Sequence, residues 1–132
     1  MILEIFTLCD AATVHAGKMN ILGSFDTLSS DTFPAQHSDC VVAVKMRTTH
    51  DDVEPVDIEM HIIDPDGKDV IPPVSNQLEG GPRLHHHLWH IRGFPLPVPG
   101  VFYVDLIANG VLLGRNPLFV RKTDRRGGSE GS

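Results

Sequence analysis

The chain has 132 residues, 41% of them hydrophobic and 21% charged, with 17 acidic against 11 basic side chains. A single domain of this length buries about two-thirds of the surface its unfolded chain exposes, enough for a core without metal or disulfide staples. The formal charge of −6 argues against nucleic acid and anionic membrane as partners, because no surplus of positive charge is there to release counterions from phosphates.

The start, Met1-Ile2-Leu3-Glu4-Ile5, carries an acid and no early Lys or Arg, so a secretory signal is not expected and Leu3 to Leu8 reads as a strand. Met19 to Leu28 reads as a second strand, reached through a turn at Ala16-Gly17-Lys18. Val42, Val44 and Met46 then alternate with Ala43, Lys45 and Arg47, and Val56, Ile58, Met60 and Ile62 alternate with Asp57, Glu59 and His61. A period of two with one apolar face describes a half-buried strand. Asp64-Pro65-Asp66-Gly67 combines a preset φ, a turn-initiating acid and a residue tolerant of positive φ, so the chain reverses there before a short apolar segment at Val70-Ile71.

Leu84 to Ile91 is a further strand, with Trp89 and Ile91 facing inward. Phe102, Val104, Leu106 and Ala108 alternate with Tyr103, Asp105 and Ile107, and Asn109-Gly110 separates them from Val111-Leu112-Leu113, the strongest short hairpin signal. The partner strand continues through Leu118 and Val120, with Asn116-Pro117 marking a bulge or an edge. No window shows a helical stripe with caps, and no run approaches the roughly 20 apolar residues needed to span a bilayer. The expected fold class is all-β, a two-sheet antiparallel sandwich of seven to eight strands. The domain is expected over 1–121, with a disordered polar tail over 122–132. From Arg121 onward four basic and two acidic residues give +2, leaving the body near −8.

Cys9 and Cys40 form no CxxC and lie among apolar residues, so both are expected to be buried free thiols in a reducing cytoplasm. His85-His86-His87 with His90 is the densest run of potential ligands. On a strand His85 and His87 share one face while His86 and His90 share the other, which supplies two ligands per face where a zinc site needs three or four. A third would have to arrive from His61, His50 or His37. The cupin arrangement also sets HxH on a strand but needs a nearby glutamate and a later histidine; Leu88 to Gly93 holds no acid and no histidine follows His90. Asp64 to Asp69 fails as an EF-hand because, with Gly67 in the glycine place, Ile62 and Pro73 occupy ligand positions. Asp51, Asp52, Glu54 and Asp57 read as a solvated acidic loop, and GxSxG, HExxH and glycine-rich phosphate loops are absent. Phe94-Pro95-Leu96-Pro97-Val98-Pro99-Gly100 favours an extended path, serving as a stiff loop that caps the core or as an apolar ridge for a partner.

Leu8-Cys9-Asp10, Gly17 to Asp26, Phe33-Pro34-Ala35 and Pro99-Gly100-Val101-Phe102-Tyr103 through Asn109-Gly110 resemble a family of small bacterial β-sandwich domains of unknown function, over roughly Ile2 to Val120. That resemblance implies a bacterial, cytoplasmic, single-domain protein and carries no functional residues with it. The Pro-Gly-x-Phe entry to the Phe102 strand and the final hairpin are also loosely similar to immunoglobulin-like domains, although Cys9 and Cys40 do not bracket Trp89 and Phe102 lacks the hydroxyl of a tyrosine corner.

Together these readings describe a non-enzymatic cytoplasmic protein-interaction or structural domain without a cofactor, self-associating through a sheet face or edge as a homodimer. Ile107, Leu113 and Phe119 stand at nominally outward positions, and the interaction candidates are Pro95, Pro97, Pro99 and Phe119. The rival is a metal-dependent enzyme or metal sensor built on His85, His87 and His90. A weaker alternative is a pH-responsive module, because protonating all eight histidines moves the formal charge from −6 to +2.

Overall fold

The computed structural model of the chain describes residues 1–53 and 55–124. Its strands are β1 (Ile2–His15), β2 (Lys18–Phe25), β3 (Thr27–Ser30), β4 (Ala35–His37), β5 (Cys40–Thr48), β6 (Val56–Ile63), β7 (Val74–Leu78), β8 (Arg83–Ile91), β9 (Phe94–Leu96), β10 (Gly100–Ala108) and β11 (Val111–Lys122). A four-stranded sheet ordered β2-β1-β5-β8 faces a five-stranded sheet ordered β3-β11-β10-β6-β7, and β4 and β9 form a two-stranded piece of their own. The fold is an all-β sandwich.

Period-two alternation decides the core. Val42, Val44 and Met46 of β5, Val56, Ile58, Met60 and Ile62 of β6, and Phe102, Val104, Leu106 and Ala108 of β10 are all buried in one cluster between the sheets. At the expected turns, Ala16-Gly17 and Asn109-Gly110 both take positive φ, the type I′ geometry that matches strand twist. The Asp64 carboxylate accepts from the Asp66 and Lys68 amides at 2.9 Å each, which closes the third reversal.

Among the described residues eleven strands replace the expected seven to eight, for identifiable reasons. The single strand expected over Met19 to Leu28 breaks at Asp26, where the chain crosses from one sheet to the other and becomes β2 and β3. That crossing makes the pairing of β3 with β11 parallel, so the sandwich is not purely antiparallel. The strands β4 and β9 have three residues each, too few to display a period. Val70-Ile71 does not form a strand; the chain makes a single bridge, Asp69 to Ile63, and β7 begins only after the prolines at Val74. The ladder also runs past the expected domain boundary: Lys122 pairs with Ser30, and the Thr123 amide donates to the Ser30 carbonyl. Residues 125–132 of the expected tail lie outside the described residues.

Two bulges reset the faces. Between Leu3 and Ile5 the register of β1 on β5 shifts by one residue, so Leu3 and Phe6, three apart, both pack against the core. A second shift, between Leu106 and Ile107, turns Leu113 toward the core instead of outward. At Gly114 the sheets come close enough that an added Cβ would lie 2.7 Å from Leu3 Cδ2.

Candidate functional site

The ladder of β8 on β5 sets His85 opposite Met46, His87 opposite Val44 and Trp89 opposite Val42, all toward the opposing sheet. His90 lies opposite Val41 on the other face. The strand period therefore separates His90 from His85 and His87, and the three imidazoles do not come together. Among the described residues no group of three His, Cys, Asp or Glu side chains is placed to hold a metal ion.

His85 and His87 instead line a cleft of about 510 Å³ with Gln77, Glu79, Arg83 and Leu84, where β7 and β8 leave the sandwich open. The Nε2 of His85 lies 3.2 Å from Thr48 Oγ1, and the His87 ring stacks on Trp89 at 5.7 Å between centroids. Trp89 Nε1 donates to Asn76 Oδ1 at 2.8 Å and so ties β8 to β7 across the opening. Burial lowers the pKa of both histidines; the Arg83 charge adds to the effect at His85, and the neighbouring His85 and His86 add to it at His87. Both rings are thus held toward the neutral form.

Cys9 and Cys40 are both buried and free. They belong to separate clusters, Cys40 to the main core and Cys9 to a smaller one with Ala12, Val41 and Ala43. Burial pushes the Cys40 thiol up to about 12, with the neighbouring Cys9, Asp10 and Asp39 adding to it, and raises Cys9 as well. Neither is a nucleophile near neutral pH.

The proline segment divides its roles by position. Phe94 and Leu96 are buried in the core, Pro95 is half-buried opposite Gln36, and Pro97 and Pro99 are exposed. The segment caps the core with its non-proline residues. Phe119 is half-buried on the outer side of its sheet, paired with Val101, which is 38% exposed. Farther along the same two strands, Arg115 grips the nearly buried Asp105 with two hydrogen bonds of 2.7 and 2.8 Å and lies 4.8 Å above the Tyr103 ring. His61, across the ladder from Asp105, bonds Asp69 at 3.0 Å. These groups satisfy one another and leave the outer face of that sheet polar at its centre.

A different surface emerges at β1 and β2. From Ile2 to Cys9 strand β1 pairs with β5; from Leu8 to His15 it pairs with β2. Six residues of β1 therefore run about 20 Å past their last partner on β5. Ala12 and Met19 pack this hairpin against Cys9 and Val41. On the same hairpin Val14 is 41%, Ile21 36% and Leu22 70% exposed. No described strand pairs with the outer edge of β2. The strand expected over Leu3 to Leu8 in fact continues to His15; the turn at Ala16-Gly17 is the signal for the longer strand, since a two-residue hairpin turn requires both strands to reach it.

A model for a family of unknown function, DUF6941, matches residues 4–121. No curated protein matches the chain. Among solved structures, the Pseudomonas fluorescens alkylpurine DNA glycosylase AlkC bound to DNA is similar at 12% identity and a TM-score of 0.49, over 88% of this chain. The chain spans 30% of that protein's length. An immunoglobulin-like protein from Pseudomonas aeruginosa is similar at 13% identity and a TM-score of 0.37, over 86% of this chain and 91% of the other.

Proposed function

The chain belongs to the DUF6941 family of unknown function, and we propose that it is a non-enzymatic, cytoplasmic protein-interaction domain that associates with a second copy of itself through a sheet edge. One observation carries this reading: among the described residues no strand pairs with the outer, eight-residue edge of β2, and Leu22, Ile21 and Val14 of the β1–β2 hairpin are turned to water. A two-stranded ribbon is marginal by itself in water. An open edge with exposed apolar residues is a template for strand addition unless something covers it. The buried, unpaired thiols suit a reducing compartment.

Size-exclusion chromatography with light scattering across the micromolar range tests the proposal. The expected result is a mass approaching twice that of the chain as concentration rises. A single-chain mass throughout would refute it.

A further inference from the structure

We propose that the seam between the two sheets beside Phe6 and Asn116 binds a small organic ammonium, with Asp26 meeting its charge and the neighbouring phenylalanines its hydrocarbon chain. Such a ligand requires no second copy of the chain.

Strands β1 and β11 lie next to each other at one flank of the sandwich but belong to different sheets. At one end Leu3 and Phe6 close on Gly114; at the other the Phe119 amide donates to the Asp26 carbonyl at 2.8 Å, where the chain crosses between the sheets. Between these two closures lies a cleft of about 440 Å³, within the roughly 300–1,000 Å³ of small-molecule sites. Val104 is buried at its floor, and Asn116, the ladder partner of Val104, spans the seam by donating from Nδ2 to the Phe6 carbonyl at 2.7 Å.

The polar side chains of this cleft have used most of their donors and remain as acceptors. The Thr7 hydroxyl donates to the Leu8 carbonyl at 3.1 Å, so in its 2.6 Å contact with Ser24 the serine is the donor. Both hydroxyl protons are therefore taken, and lone pairs are left. Asn116 keeps its Oδ1 and one N–H. The Asp26 carboxylate takes the Thr27 hydroxyl on Oδ1 at 2.9 Å and keeps Oδ2. Pro117, exposed at the rim, has no amide hydrogen to offer.

That inventory selects the ligand. Among the described residues no lysine, arginine or histidine lines the cleft, so nothing there neutralises an anion. A neutral apolar molecule would strip water from the Asp26 carboxylate and return no hydrogen bond. An ammonium supplies what the wall lacks: three donors for the lone pairs and a positive charge for Asp26. Phe6 and Phe25, both half-buried, add apolar contact for an alkyl chain and ring faces that attract a cation. The charge of the body, near −8, favours the approach of a cation over that of an anion.

The probe is n-butylammonium, compared with n-butanol and butyrate, which carry the same chain with no charge and with the opposite one. In amide NMR of the full chain, butylammonium should shift Thr7, Ser24, Phe25 and Asp26 saturably, butanol should bind about tenfold more weakly, and butyrate should leave these signals in place. Asp26→Asn keeps the shape of the side chain and removes its charge; it should weaken butylammonium about tenfold while leaving butanol within about twofold, a split that a collapsed cleft would not show. Ser24→Lys, at an exposed rim position, brings an ammonium of its own and should abolish the shifts. Equal binding of butanol and butylammonium, or an Asp26→Asn variant that binds butylammonium as wild type does, would overturn the proposal. So would butylammonium shifts scattered over other exposed carboxylates with none at the seam.

Discussion

Replacing Gly114 by alanine sets two opposing effects against each other. Its φ lies outside the left-handed region, so alanine gains about 0.4–1 kcal/mol by restricting the unfolded chain. The new methyl, however, would sit 2.7 Å from Leu3 Cδ2 and 3.3 Å from Phe6 Cδ2. Overpacking of this kind costs about 1–3 kcal/mol, and because Leu3 is only half-buried and its methyl can swing, about 1.5 kcal/mol is the reasonable share. Gly114→Ala should therefore destabilise wild type by about 1 kcal/mol. In a Leu3→Ala background, itself about 2 kcal/mol less stable, the obstructing methyl is gone and the same substitution should stabilise by about 0.5 kcal/mol. Urea unfolding of the four proteins, with unchanged m-values, measures a coupling of about 1.5 kcal/mol. Additivity to within about 0.3–0.5 kcal/mol would refute the reasoning, since Leu3 would then not face Gly114 and the bulge that turns it inward would be misplaced.

The lowered pKa values of His85 and His87 mean that the unfolded chain takes up protons before the folded one, so stability should be level above the ordinary value of 6.5 and fall as pH drops below it. His87→Gln should flatten that decline in chemical denaturation between pH 7 and pH 5, and an unchanged slope would show that the ring is not shielded. Arg115→Ala should lower Tm more than Asp105→Ala, because it leaves a nearly buried carboxylate without its guanidinium whereas the reverse leaves a half-exposed cation in water. Equal Tm shifts would reduce the pair to packing. Both thiols should resist a water-soluble thiol reagent in native protein and react fully in denaturant; fast native labelling of either would contradict their burial.

The class and most of the core were legible because burial follows a period of two wherever a strand has five or more residues and one wet face, as in β6. Strand β5 is the instructive exception. Val42, Val44 and Met46 point into the sandwich as expected, yet Val41 and Ala43 are also buried, because Cys9 and Leu88 pack over them from both neighbouring strands. The hidden features are those a one-dimensional pattern does not encode. A bulge shifts the face of Leu3 without changing its neighbours in sequence. A sheet crossing at Asp26 looks like an uninterrupted strand. The histidine run stands out by composition, and its separation onto two faces follows from the strand period, but the cleft formed with Glu79 and Gln77 depends on how β7 meets β8. The β2 edge has no compositional mark, since an edge is defined by the strand that fails to lie beside it.

The parallel pairing of Thr27–Ser30 with Phe119–Lys122 joins segments more than ninety positions apart in the chain. Closing so long a loop costs entropy before any contact offsets it, which places this domain among slow folders dominated by non-local pairing. During synthesis β3 has no partner until the last strand has emerged from the ribosome, so the five-stranded sheet can be completed only late. The hairpin of β1 and β2, by contrast, needs only neighbours in sequence and can form first. The earliest structure on the nascent chain would then be the same ribbon whose outer edge no described strand of the finished domain covers.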